Sequence, residues 1–154
     1  MKVLFILLFT INVISTFLLF RSFYRKRKLF DDRFGMTITA TVTVVISTML
    51  SMLISFITLA PFITVVVIGV LIGALIGISF GCLVKFQSVV TGFTHGTIGG
   101  SMGAMLGSVI QDPTLCSLPS SYLQEVMKNM IYFSMFGTFL IFMTIILISY
   151  TMKV

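Results

Sequence analysis

Acidic side chains are scarce in this chain. There are four in 154 residues, against ten lysines and arginines, with one histidine, two cysteines and no tryptophan. Each scarcity excludes something. The acids are Asp31, Asp32, Asp112 and Glu125, and none falls inside a long apolar run. A proton-coupled carrier places Asp or Glu near the middle of the bilayer, and intramembrane hydrolysis by paired carboxylates needs two, so neither class fits. A nucleophile–His–acid set has no acid to complete it, and the chain is read as no enzyme. Cys82 and Cys116 form no Cys-x-x-Cys spacing, so neither a zinc site nor a redox dithiol is signalled. No cofactor motif is present.

What the chain has instead is apolar surface. It is 58% hydrophobic and 9% charged, with mean hydropathy +1.18. A soluble domain carries about 25% charged residues. A water-soluble core of this size cannot absorb so much apolar surface, so lipid is the solvent.

Five apolar segments follow one another, at 3–20, 36–60, 62–84, 88–110 and 128–151. A hydrocarbon core of ~30 Å needs about 20 helical residues. The first segment precedes its basic cluster and offers no small-residue cleavage site, so it is expected as an uncleaved helix. Pro61 alone parts the second from the third, which makes them an antiparallel hairpin. The β-branched run "TITATVTVVIST" (Thr37 to Thr48) suggests a strand in water. In lipid a lone strand leaves its backbone unpaired, so helix prevails. "QDPTLCSLPSS" (Gln111 to Ser121) is a polar loop. The last helix is expected to start near Tyr122, where Ser121 and Gln124 have capping-box spacing. Its first turns, with Glu125, Lys128 and Asn129, then stand in the interface. The expected fold is an all-α integral membrane protein, a single domain of five transmembrane helices. Four helices plus a re-entrant 88–110 segment is the alternative.

The net charge of +6 is uneven. Arg21, Arg25, Lys26, Arg27, Lys28 and Arg33 crowd one stretch between two apolar runs. Such a cluster fixes topology and meets anionic headgroups rather than nucleic acid. With the amino terminus outside, these six, Lys85 and Lys153 lie in the cytoplasm, and Lys2 and Lys128 lie outside. Eight against two is a positive-inside bias. If the fourth segment re-enters, Lys128 and Lys153 exchange sides and the count is unchanged, so charge does not decide that segment. Tyr24, Tyr122 and Tyr150 fall near the expected interfaces.

Glycine is patterned. Gly69, Gly73, Gly77 and Gly81 recur every four residues, and so do Thr39, Thr43, Ser47, Ser51 and Ser55. Residues four apart share a helix face, and small or hydroxyl residues at that spacing let membrane helices approach closely. The hairpin places these two ladders on neighbouring helices, so they are expected to face each other. "GFTHGTIGGSMGAMLG" (Gly92 to Gly107) carries two more ladders: Gly92, Gly96, Gly100 and Ala104, and Gly99, Gly103 and Gly107. A phosphate loop needs a preceding strand and a terminal Lys-Ser or Lys-Thr, and neither is here. The glycines are expected to form a zipper for close helix contact, on a helix set between neighbours.

"GGSMGAMLGSVI" (Gly99 to Ile110) resembles the Gly/Met-rich motif of small, mostly uncharacterised multi-pass membrane proteins of Bacillus-type bacteria. Some of these accompany metal-handling genes. The resemblance covers about twenty residues around this stretch and implies a bacterial plasma membrane. It departs from the family motif in having Ile98 and Ser101 where Met would be usual.

His95 is the one imidazole in a span, and Met102 lies near its face two turns on. At 1.5 Å per residue they are roughly 10 Å apart, too far for one ion to bridge. They are the candidate metal ligands; a neutral His bonded to a Thr or a carbonyl is the plainer reading. The eleven methionines suit Cu(I) chemically but are scattered, and Met also fills gaps. Two functions stay open. One is a non-enzymatic accessory or assembly component, forming a homo-oligomer or joining a membrane-protein partner. The other is a small transporter or channel for a metal ion or other solute. A buried Thr39–Ser55 ladder is dry and favours the first; a wet one favours the second.

Overall fold

The computed structural model describes residues 2–26, 32–58, 60–112 and 125–151. Its five helices are α1 (Lys2–Lys26), α2 (Asp32–Ile57), α3 (Phe62–Gly81), α4 (Phe86–Gln111) and α5 (Val126–Thr151). No strand occurs among the described residues, so the β-branched run is helical, within α2. Four helices, α1, α2, α3 and α5, are long and apolar enough to cross a membrane. That is compatible with a multi-pass membrane protein. α4 matches α2 in length at 26 residues. Its Gly, Ser and Thr content keeps it outside the apolar set.

Helix ends differ from the apolar runs where polar residues continue a helix. α1 runs past Phe20 through Arg21 and Arg25, and α2 begins at Asp32, ahead of Met36. The expected start at Tyr122, its Ser121–Gln124 cap, and Cys116 lie outside the described residues.

Two tight connections set the order. α2 closes with the Thr58 N–H donating to Ile54 O, and Pro61 then opens α3, its carbonyl accepting from Thr64 and Val65. Proline lacks an N–H and is tolerated where a helix begins. α3 stops at Gly81, and Lys85 (φ −149, ψ 169) extends the chain before α4. So short a link forces α3 and α4 together in opposite directions.

Contacts fix every helix direction. Gly69, Gly73 and Gly77 meet Gly100, Gly96 and Gly92, so α3 and α4 are antiparallel. Ser47 meets Gly99 and Ser55 meets Gly107, so α2 and α4 are parallel along their length. Phe5 packs with Leu53 and Phe56, and Leu19 and Phe23 with Ile38 and Val42, so α1 is antiparallel to α2. Phe5 groups with Met130, and Leu19 with Ile148, so α5 runs parallel to α1. The helices therefore alternate, with α1, α3 and α5 one way and α2 and α4 the other.

The three central helices touch through small residues, and the outer two through large ones. The Phe20 and Phe23 rings meet Phe80 edge-on at 5.5 and 5.7 Å, and Phe5 meets Phe56 at 5.5 Å. Such ring pairs add to packing beyond area alone.

Candidate functional site

α4 is the helix around which the sequence motifs converge, and its faces do different things. Gly92, Gly96 and Gly100 lie against Gly77, Gly73 and Gly69 of α3. A Cβ on Gly73 would fall on the Gly96 carbonyl oxygen, and one on Gly96 would fall on the Gly73 carbonyl. The same reciprocity holds for Gly77 with Gly92. Backbone thus lies on backbone. The approach turns each Cα–H toward a facing carbonyl, the arrangement of weak Cα–H···O contacts. Gly81 continues the seam to the turn, where an added Cβ would stand 2.7 Å from Ser88 O.

The second ladder meets α2. A Cβ on Gly103 would strike the Thr48 carbonyl, one on Gly99 the Ser47 hydroxyl, and one on Gly107 the Ser55 side chain, 2.6 Å away. The α2 hydroxyl stripe is sealed: Thr39, Thr43, Ser47 and Ser55 are fully buried and Ser51 is 1% exposed. Its polar groups find partners on their own helix or across the seams. The Thr39 hydroxyl donates to Gly35 O at 2.8 Å and Thr43 to Thr39 O at 2.7 Å. Ser108 donates to Ala104 O at 2.9 Å, which leaves Ser55 to donate to Ser108 Oγ at 3.4 Å. Donation to the preceding turn is how a hydroxyl enters an apolar interior without an orphan proton.

The expected face-to-face pairing of the α2 and α3 ladders is thereby corrected. The α3 glycines face α4, and α2 reaches them only at the edge, with Ser51 Oγ 3.4 Å from Gly69 O. The reason is steric. Two glycine ladders approach more closely than a glycine ladder and a hydroxyl ladder, whose Cβ and Oγ atoms hold the axes apart. α4, with two ladders, occupies the close position against both neighbours.

The outer face of α4 carries Thr94, His95, Ile98, Met102 and Met105, all exposed. His95 Nδ1 lies 2.9 Å from Thr91 O. A carbonyl only accepts, so Nδ1 is the donor in this contact. Met102 is 55% exposed on the same outer side. Among the described residues no three His, Cys, Asp or Glu side chains gather as a metal-binding group. Cys82 is free and exposed.

Sequence reasoning passed over a buried amide. Asn12 of α1 is fully buried. Its Nδ2 donates to Thr138 Oγ1 of α5 at 3.1 Å, and its Oδ1 has no partner. The signal was available: Asn12 is an amide in the middle of an apolar run, and polar residues in spans mark helix contacts. Gly137, whose added Cβ would meet the Met49 thioether, was missed as well. It and Ser134 are the small buried residues of an otherwise bulky α5.

No protein-family model, curated protein or solved structure matches this chain.

Proposed function

We propose that this chain is a five-span protein of the cell membrane, with the start of α1 outside and the end of α5 in the cytoplasm. It acts as a non-enzymatic accessory or assembly component that offers the outer face of α4 to another membrane protein or to a second copy. The observation that carries the reading is that face. α4 is the one described helix outside the set long and apolar enough to cross a membrane, and its Thr94 and His95 are exposed. A polar side chain set toward lipid is costly there, and small and polar residues draw membrane helices together.

The alternating helix directions support five spans, since a re-entrant α4 would set α5 against α1. The basic excess around Arg21 to Arg33 supports the orientation. Buried hydroxyls on α2, each with a partner on α2 itself or on the α3 and α4 helices packed against it, favour a scaffold over a transport path along that stripe. The glycine ladders are used inside the bundle, so partner recognition falls to α4's outer face.

Photo-crosslinking in cells tests this. A photoreactive residue at Ile98 or Met102 is expected to capture a discrete protein, while one at the exposed Leu71 of α3 captures lipid. Capture of lipid alone from all three positions would remove the proposal.

A further inference from the structure

The α1–α5 seam holds space as well as contact. A cavity of about 280 Å³ lies between the helices, bounded by Ser15, Leu19, Ser22, Phe142, Ile145 and Ser149. A second, of about 440 Å³, opens along α1 over Leu18, Arg21, Ser22 and Arg25. Leu18 and Ser22 border both, so the two adjoin.

Side by side, the two spaces offer a charged end and an apolar end. Arg21 and Arg25 are exposed and one turn apart, so both guanidinium groups rise from one face of α1 with Ser22 between them. Guanidinium binds phosphate oxygens through paired N–H donors. Arg21 closes the apolar run of α1. Ser149 and the exposed Tyr150 stand at the same end of the parallel α5, which sets the arginines at headgroup depth. Deeper in, the walls are Leu19, Phe142 and Ile145, with Ser15 at the far end. An aqueous anion has no use for the apolar slot, and a transmembrane peptide has no use for paired cations at its mouth. A phospholipid uses both.

We propose that this seam binds one anionic phospholipid, its phosphate between Arg21 and Arg25 and one acyl chain in the cavity between α1 and α5. A zwitterionic lipid would bring an ammonium group against two guanidiniums; an anionic one does not.

The test is native mass spectrometry of the full chain in mild detergent. Phosphatidylglycerol and phosphatidylcholine with identical acyl chains are supplied together. One phosphatidylglycerol per chain is expected to survive gentle activation in preference to phosphatidylcholine. Arg21→Gln with Arg25→Gln should lower that retention roughly tenfold or more, as loss of two close cation contacts implies. Arg27→Gln with Lys28→Gln removes the same charge from the loop and should keep it. Ser149→Trp fills the slot from α5 without touching the arginines and should also release the lipid. Equal retention of the two lipids would overturn the proposal. So would equal losses from the two charge variants, or a Ser149→Trp protein that holds phosphatidylglycerol like wild type.

Discussion

The seam between α3 and α4 and the seam between α1 and α5 are made in opposite ways. The first is backbone against backbone, with Gly73 on Gly96 and Gly77 on Gly92. The second is one amide–hydroxyl bond, Asn12 to Thr138, beside a cavity of about 280 Å³. Lipid tails are as apolar as leucine, so helices in a bilayer gain nothing by hiding carbon from their solvent. What remains is the number of atoms brought into close contact, and polar groups that find partners. A glycine seam maximises the first and tolerates no added atom. An amide seam relies on the second and leaves room. The inner helices therefore form the rigid part, and the outer pair the adaptable part.

The sharpest way to break this comparison is to put a side chain into the inner seam. In Gly77→Leu the new Cβ lands on the Gly92 carbonyl, which belongs to a helix and cannot swing aside. The loss should reach or exceed the top of the about 1–3 kcal/mol range for overpacking, seen as poor accumulation and a lowered melting temperature in detergent. Leu71→Ala on the exposed side of α3 should stay within about 0.5 kcal/mol, because the Leu71 side chain is exposed. Equal behaviour of the two variants would mean the ladder is no interface.

The same substitution in two places sharpens it further. An alanine at Gly103 strikes the Thr48 carbonyl, a fixed backbone atom. An alanine at Gly137 strikes the thioether of Met49, the end of a flexible side chain. Gly103→Ala should cost about 1–3 kcal/mol. Gly137→Ala should be near neutral, since Met49 can turn away and alanine gains about 1 kcal/mol of helix propensity over glycine. Thermal unfolding of both in one detergent decides the matter. A Gly137→Ala loss as large as that of Gly103→Ala would show that the outer helix is held as rigidly as the inner ones.

Asn12→Leu probes the outer seam directly. It removes a bond of a kind that averages about 0.6 kcal/mol inside membranes. It also removes a buried oxygen with no partner, which is no better served when the helices part in lipid. The bond is then the one polar term that favours assembly, so the variant should lose no more than about 1 kcal/mol. A larger loss would show that Asn12 Oδ1 is satisfied in the membrane, by water or by a lipid hydroxyl.

The sequence disclosed the helices and their faces better than their partners. Apolar length predicts helices for α1, α2, α3 and α5, and four-residue spacing picks out which residues of α2, α3 and α4 turn inward. Pairing was harder. The hairpin at Pro61 makes α2 and α3 neighbours in sequence, and proximity suggested that their ladders meet. Spacing describes one helix at a time, whereas pairing depends on which two surfaces can come nearest. The double ladder of Gly92 to Gly107 was the sign that α4 takes the place between them. Asn12 escaped notice because a single amide has no period, and its role depends on a helix more than a hundred positions away (Thr138 on α5).

His95→Gln should have the smallest effect on stability. The His95 ring donates from Nδ1 to Thr91 O and stands on the exposed face of α4, away from both glycine seams. A glutamine amide can donate to the same carbonyl through its NH₂ and still present an oxygen outward, so one donor and one acceptor are conserved. Protein level and melting temperature should change by no more than about 0.5 kcal/mol of stability. If the α4 face recognises its partner by shape and hydrogen bonding, crosslinking from Met102 persists in this variant. A glutamine protein that folds normally and loses its crosslinked partner would require the imidazole itself, because an amide is a poor metal ligand. The outer face would then be a chemical site in its own right, and α4 would join a rigid inner seam to a reactive outer one.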